Sequence, residues 1–363
     1  MIENNIISDH FTVEELKKLK ITPPDVKMYK KIRSNWDSVA KPLDGMGDFE
    51  LLTAKIGAVL GDENIDISKK AVIMMCADNG VVAEGISQSG QEVTLAVAKS
   101  MARKASSVGR MAMTAGADTI PVDIGINSDE SVKGLLQRKV RRGTRNFAKE
   151  PAMTEAEALE AIAAGIDIVR ECKANGCRII ATGEMGIGNT TTSAAMAAAM
   201  LRCDVATVTG RGAGINDSGL ERKIRVIESA IEKYDLYNKD TFEILMTVGG
   251  LDIAGLVGVC IGGALYHIPV VLDGVISMVS ALAAGRLLSG VADFIMPSHE
   301  GKEPAVALLC EALSVKPVIR ASLALGEGTG AVMMLSLLDM ALSVYKGRTT
   351  FDDISVSQYE RYV

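Results

Sequence analysis

Aromatic residues are scarce: one Trp, six Phe and seven Tyr in 363 positions, so the core must be aliphatic. Histidine is scarcer still, with three copies, and His299 has no Cys or His beside it. None of the six cysteines forms a C-x-x-C pair, and Cys172 and Cys177 stand five apart, which is not a zinc-knuckle spacing. No metal site and no cofactor is therefore expected, and the cysteines read as buried free thiols of a reducing, cytoplasmic compartment. An excess of positive charge is also missing. The 39 basic residues are outnumbered by 45 acidic ones, for a net charge of −6. Only Arg138-Lys139-Val140-Arg141-Arg142, with Arg145 beyond, hints at a basic patch, and it reads as a solvated loop or dimer contact. Nucleic acid is not an expected partner.

Targeting features are absent too. Met1-Ile2-Glu3-Asn4-Asn5 lacks the basic segment and apolar core of a signal peptide. Ile253 to Leu272 carries no Asp, Glu, Lys or Arg, but Gly255, Gly258, Gly262, Gly263, His267 and Pro269 interrupt it. A buried helix followed by a buried strand explains it better than a membrane span. No repeat period and no low-complexity linker divides the chain.

What is present is alternation. The first forty residues are polar and read as helices around Thr12–Lys20 and Pro24–Trp36, with Thr12 and Glu15 spaced for a capping box. From Ala71 onward, short apolar runs end in glycine or polar residues and helical stretches follow. The runs are Ala71–Cys76, Thr119–Ile124, Arg178–Thr182, Pro269–Leu272 and Ala292–Met296. Helices are expected over Ala194–Leu201 and Arg222–Lys233. Continuous apolar strands alternating with helices predict an α/β fold, a mostly parallel sheet covered on both faces. Ligands of such sheets bind beyond the carboxyl ends of the strands, where the acidic residues and glycines stand.

Two motifs are sharp. Gly183-Glu184-Met185-Gly186-Ile187-Gly188-Asn189-Thr190-Thr191 joins a predicted strand to a predicted helix, a setting suited to holding a phosphate. Asn189 stands where a Walker loop has its lysine, so a triphosphate hydrolase is not expected. Leu325-Gly326-Glu327-Gly328-Thr329-Gly330 sets one carboxylate between glycines, and Glu327 is the candidate general base. Ala77-Asp78-Asn79-Gly80-Val81, Gly210-Arg211-Gly212, Val248-Gly249-Gly250 and Val271-Leu272-Asp273-Gly274 are weaker signals.

In this order, from about residue 30 to residue 347, these motifs resemble the nicotinate-nucleotide–dimethylbenzimidazole phosphoribosyltransferase family of cobalamin synthesis. The resemblance implies a Rossmann-like domain over 46–300. It also implies a smaller helical domain from both chain ends (1–45 and 301–363), and a homodimer. It makes Glu327 catalytic. Substrate binding falls to Glu184, Gly186, Gly188, Asn189, Thr190, Leu325 and Gly328, a phosphate contact to Lys223, and the base pocket to Ser87 and Gln91. Asn79 replaces a frequent family histidine, and Ser87-Gln88-Ser89-Gly90-Gln91 lacks an expected proline or aromatic. Both departures bear on which base is accepted.

The implied reaction moves 5-phosphoribose from nicotinate mononucleotide to 5,6-dimethylbenzimidazole. An acidic pair followed by a Thr-rich loop, as in phosphoribosyl-pyrophosphate enzymes, is missing, which suits a mononucleotide donor. The alternatives are the same donor with another lower-ligand base, or a non-catalytic nucleotide-binding module.

Overall fold

The computed structural model describes residues 11–361. The reading of Met1–Asn5 lies outside them. Six strands form one parallel sheet: β1 (Lys70–Ala77), β2 (Ala117–Gly125), β3 (Leu136–Gln137), β4 (Ile179–Met185), β5 (Val270–Val271) and β6 (Ile295–Met296). Their order is β3-β2-β1-β4-β5-β6, the doubly wound order of Rossmann folds, which reverses direction between β1 and β4.

Alternate residues of β1 feed the two cores. Ala71, Ile73, Met75 and Ala77 join one cluster, while Val72, Met74 and Cys76 join the other. The first core is built against helices Glu155–Ala174, Asn189–Leu201, Leu251–Leu265 and Val275–Leu287. The second holds Ile32 and Trp36 from helix Val26–Asp37, and Leu335, Leu338 and Tyr345 from helix Thr329–Lys346. The two chain ends meet there. Trp36 and Tyr345 pack with ring centroids 5.2 Å apart, and Val39 bridges Thr350. The Trp36 indole donates to Thr53 Oγ1 at 2.9 Å, so its one polar atom is satisfied in the core.

The uncharged stretch resolves as expected into the buried helix Leu251–Leu265 and then β5. No helix of the described residues is long and apolar enough to cross a membrane. Its glycines serve contact with helix Glu155–Ala174. A Cβ on Gly258 would lie 2.0 Å from the Ile162 carbonyl oxygen, and one on Gly165 would lie 2.1 Å from that of Gly255. The two backbones touch, so Gly258→Ala is expected to cost about 1–3 kcal/mol or more. Urea unfolding measures it; an unchanged midpoint would show that the helices can separate freely.

Several boundaries differ from the sequence reading. Ala292–Phe294 belong to a 3-10 turn, so the last strand is only Ile295–Met296. β3 is two residues long, too short for any periodicity to mark. The Thr12–Glu15 capping box is present. The basic stretch folds back onto acidic partners: Arg138 pairs with Glu171 at 2.8 Å, Lys139 with Asp123 at 3.1 Å, and Arg141 and Arg145 both with Glu157. It offers no concentrated positive face.

Candidate active site

A cavity of about 590 Å³ opens at the carboxyl ends of β4, β5 and β6. That is enough for a mononucleotide with a small bicyclic base. Three walls are decisive: Glu184–Ile187 with Asn189 and Thr190 at the end of β4 and just past it, Asp273–Ser277 after β5, and Leu323–Glu327 from the far end of the chain. Gly210–Ala213 and Lys302–Pro304 close the rim.

The β4 wall begins with a buried carboxylate. Burial and the neighbouring charge of Asp252 push the Glu184 pKa up to about 8. Burial lifts that of Asp252 to about 6. Asn189 lies between them, its Nδ2 donating to Glu184 Oε2 and, at 3.1 Å, to Asp252 Oδ2. The residue in the Walker-lysine place thus ties two carboxyl groups together. Asp78 and Asn79, both buried after β1, lie close to the same cluster. They fill the crevice where strand order reverses, and the cavity sits to one side of it.

Lys223 is 1 % exposed and lies behind the wall. Its Nζ donates to Thr190 Oγ1 and to the Gly210 carbonyl, each at 3.0 Å, stitching the β4 loop to the Gly210-Arg211-Gly212 loop. Burial lowers the pKa of its ammonium to about 8, against the pull of Glu303. Glu303 caps that loop from the cavity side, accepting from the Gly212 N–H at 3.0 Å.

Glu327 is half-buried at the opposite wall. Its backbone is left-handed (φ +62°), between Gly326 (φ +77°) and Gly328 (φ +97°). The carboxylate Oε2 accepts from the Val108 N–H at 3.3 Å, at the start of helix Ser107–Thr114. Burial raises its pKa, the Val108 bond opposes the rise, and the charge of Asp273 adds to it.

The fold therefore brings Glu184, Gly186, Asn189, Thr190, Leu325 and Glu327 to one cavity. It does not bring the others. Gly188 is turned away, against Val82 and Asn79, and Gly328 sits against the Thr182 carbonyl. Ser87 and Gln91 are not on the cavity wall. Ser87 Oγ accepts from the Ser89 N–H, and Gln91 is fixed between the Asn79 carbonyl and Asn127. Gln88 between them donates to the Gly214 carbonyl, which sets this loop beside the rim. Asp252, Glu303 and His299 are not among the candidate site residues read from the sequence. Asp252 lay inside an apolar helix, and the other two lay in short turns.

Residues 21–356 match the model of a family described as phosphoribosyltransferase. The chain belongs to this family. The phosphoribosyltransferase is 41% identical over 352 residues to a protein of Acetivibrio thermocellus named nicotinate-nucleotide–dimethylbenzimidazole phosphoribosyltransferase, covering 97% of this chain and 99% of that one. A Clostridium perfringens protein of the same name is 40% identical over 329 residues, with 91% of each chain covered. The crystal structure of CobT from Thermus thermophilus superposes with a TM-score of 0.86 at 34% identity, over 92% of this chain and 100% of that one. The parallel sheet with helices on both faces agrees with that neighbour.

Proposed function

We propose that this phosphoribosyltransferase moves 5-phosphoribose from nicotinate mononucleotide to 5,6-dimethylbenzimidazole, giving α-ribazole 5′-phosphate and nicotinate. The observation that carries this is the half-buried Glu327 carboxylate, set across one cavity from the loop after β4. The relatives' names point to the same substrates.

The chemistry follows from the walls. The imine nitrogen of the base attacks C1′ of the ribose with its lone pair. The bond from C1′ to the pyridinium nitrogen breaks, and its electrons neutralise the departing ring. Attack opposite the leaving group converts the β-nucleotide to an α-nucleotide through a transition state of oxocarbenium character. The alkylated base then sheds its N–H proton to Glu327. Burial favours this proton transfer by raising the basicity of the carboxylate.

The phosphate falls to Thr190, the Gly210–Gly212 loop and the Lys223 ammonium behind them. The Lys223 cation is present below about pH 8 and lost as the pH rises through it. KM for the mononucleotide is therefore expected to rise above about pH 8. Lys223→Met is expected to raise KM at neutral pH by about 10- to 100-fold, the worth of a charged hydrogen bond, and to remove that pH dependence. An unchanged KM in the variant removes Lys223 from phosphate binding.

The helix Thr329–Lys346 exposes Met333, Met340 and Val344, an apolar face that supports a homodimer. The free cysteines support a cytoplasmic setting. Among the described residues, we assign those of 1–45 and 301–363 to the smaller domain and those of 46–300 to the larger one, on the packing of Trp36 against Tyr345.

Chromatography of the enzyme with nicotinate mononucleotide and a panel of bases tests the activity. An α-ribazole phosphate peak with dimethylbenzimidazole is the expected result. Turnover only with adenine or a phenol would redirect the acceptor, and tight nucleotide binding without nicotinate release would leave a non-catalytic module.

A further inference from the structure

Helix Thr329–Lys346 has no cap of its own. Its N-cap is Gly328, which has no side chain to meet the first N–H groups. Those groups are nevertheless satisfied, by a residue from elsewhere in the chain. Asp273, just past β5, accepts through Oδ1 from Gly330 N at 2.9 Å and Ala331 N at 3.2 Å. Its Oδ2 accepts from Gly328 N at 3.2 Å. Asp273 is 2 % exposed and lines the cavity. A carboxyl group on three amides at a helix N-terminus makes a strong grip.

That grip falls beside Glu327. The glutamate holds a left-handed backbone, which an L-residue keeps only where its surroundings over-determine it. Glu184 packs from the other side: a Cβ on Gly326 would lie 2.7 Å from Glu184 Oε1. His299 does not share the task, since its Nδ1 is 4.0 Å from Asp273 Oδ1 and lies instead at 3.0 Å from Ser298 Oγ.

We propose that Asp273 is a positioning residue for the transfer, holding the Gly326–Gly330 turn so that the Glu327 carboxylate stays aimed at the base. The role rests on the phosphoribosyl-transfer reading above.

The test is steady-state kinetics of Asp273→Ala and Asp273→Asn, each alone and combined with Glu327→Gln, with nicotinate mononucleotide and dimethylbenzimidazole. Asp273→Ala is expected to lower kcat about 10²-fold, as for a misplaced catalytic group. KM for the mononucleotide is expected to stay within about threefold, since Thr190, the Gly210–Gly212 loop and Lys223, to which its phosphate is assigned, are unchanged. Asp273→Asn is nearly isosteric and keeps one acceptor oxygen, so it folds even if the alanine variant does not. Its kcat is expected to fall about tenfold, the effect of losing one charged grip.

In the Glu327→Gln background, either change at Asp273 is expected to cost less than about twofold, because the carboxylate being aimed is gone. Wild-type kcat in Asp273→Asn overturns the proposal. So does a loss that appears in full in both backgrounds, which is what a merely structural residue would give. A wild-type enzyme that releases no nicotinate overturns the activity and this role with it. An active wild type with additive losses overturns the role alone.

Discussion

Glu327→Gln is expected to lower kcat by about 10²–10⁴-fold, the usual worth of a positioned general base. The amide matches the carboxylate in size and can still accept from the Val108 N–H, so the turn and the fold should hold. Mononucleotide binding should hold as well, because the role proposed for Glu327 is toward the acceptor and not the phosphate. The loss should therefore appear in kcat with KM for the donor little changed.

The pH profile gives a second readout. Burial and the nearby Asp273 charge raise the Glu327 pKa, so the basic form is lost, as pH falls, earlier than for an ordinary carboxylate. The acid limb of kcat should lie correspondingly high and vanish in the variant. A variant turning over at the wild-type rate would take Glu327 out of the mechanism.

The legible parts of this site were those written in consecutive residues. The motif Gly183–Thr191 sits on β4 and its turn, and Leu325–Gly330 opens a helix. The strand–helix alternation exposed β1, β2 and β5 nearly whole and the first four residues of β4, because a strand buried on both faces reads as a largely apolar run. β3 was hidden, since Leu136–Gln137 stands in no apolar run, and β6 was blurred because the apolar run Ala292–Met296 begins in a 3-10 turn. Relations between distant positions were also hidden. Nothing local says that Asp273 grips amides 55–58 residues further on, or that Asn189 joins Glu184 to Asp252. Ser87 and Gln91 fall short of the cavity wall for a related reason: their loop follows β1, while the cavity lies beyond β4, β5 and β6.

Gly183→Ala carries the second large effect, and it separates rigidity from mere proximity. Gly183 is buried inside β4, and its Cβ would lie 2.3 Å from the Glu327 carbonyl oxygen and 3.0 Å from Met74 Cγ. Met74 is a flexible side chain and can yield. The Glu327 carbonyl is backbone, and its turn is fixed on one side by Asp273 and packed on the other by Glu184. The strand is no freer, because it pairs with both β1 and β5. The added methyl must therefore move the Glu327 turn. Stability should fall by about 1–3 kcal/mol, and kcat by about 10²-fold, since a displacement near 1 Å is enough for that. Circular dichroism and urea unfolding measure the first, and initial rates the second. A stable variant with near-normal kcat would show that the carboxylate tolerates displacement. The fixed geometry of the turn would then not be what makes Glu327 effective.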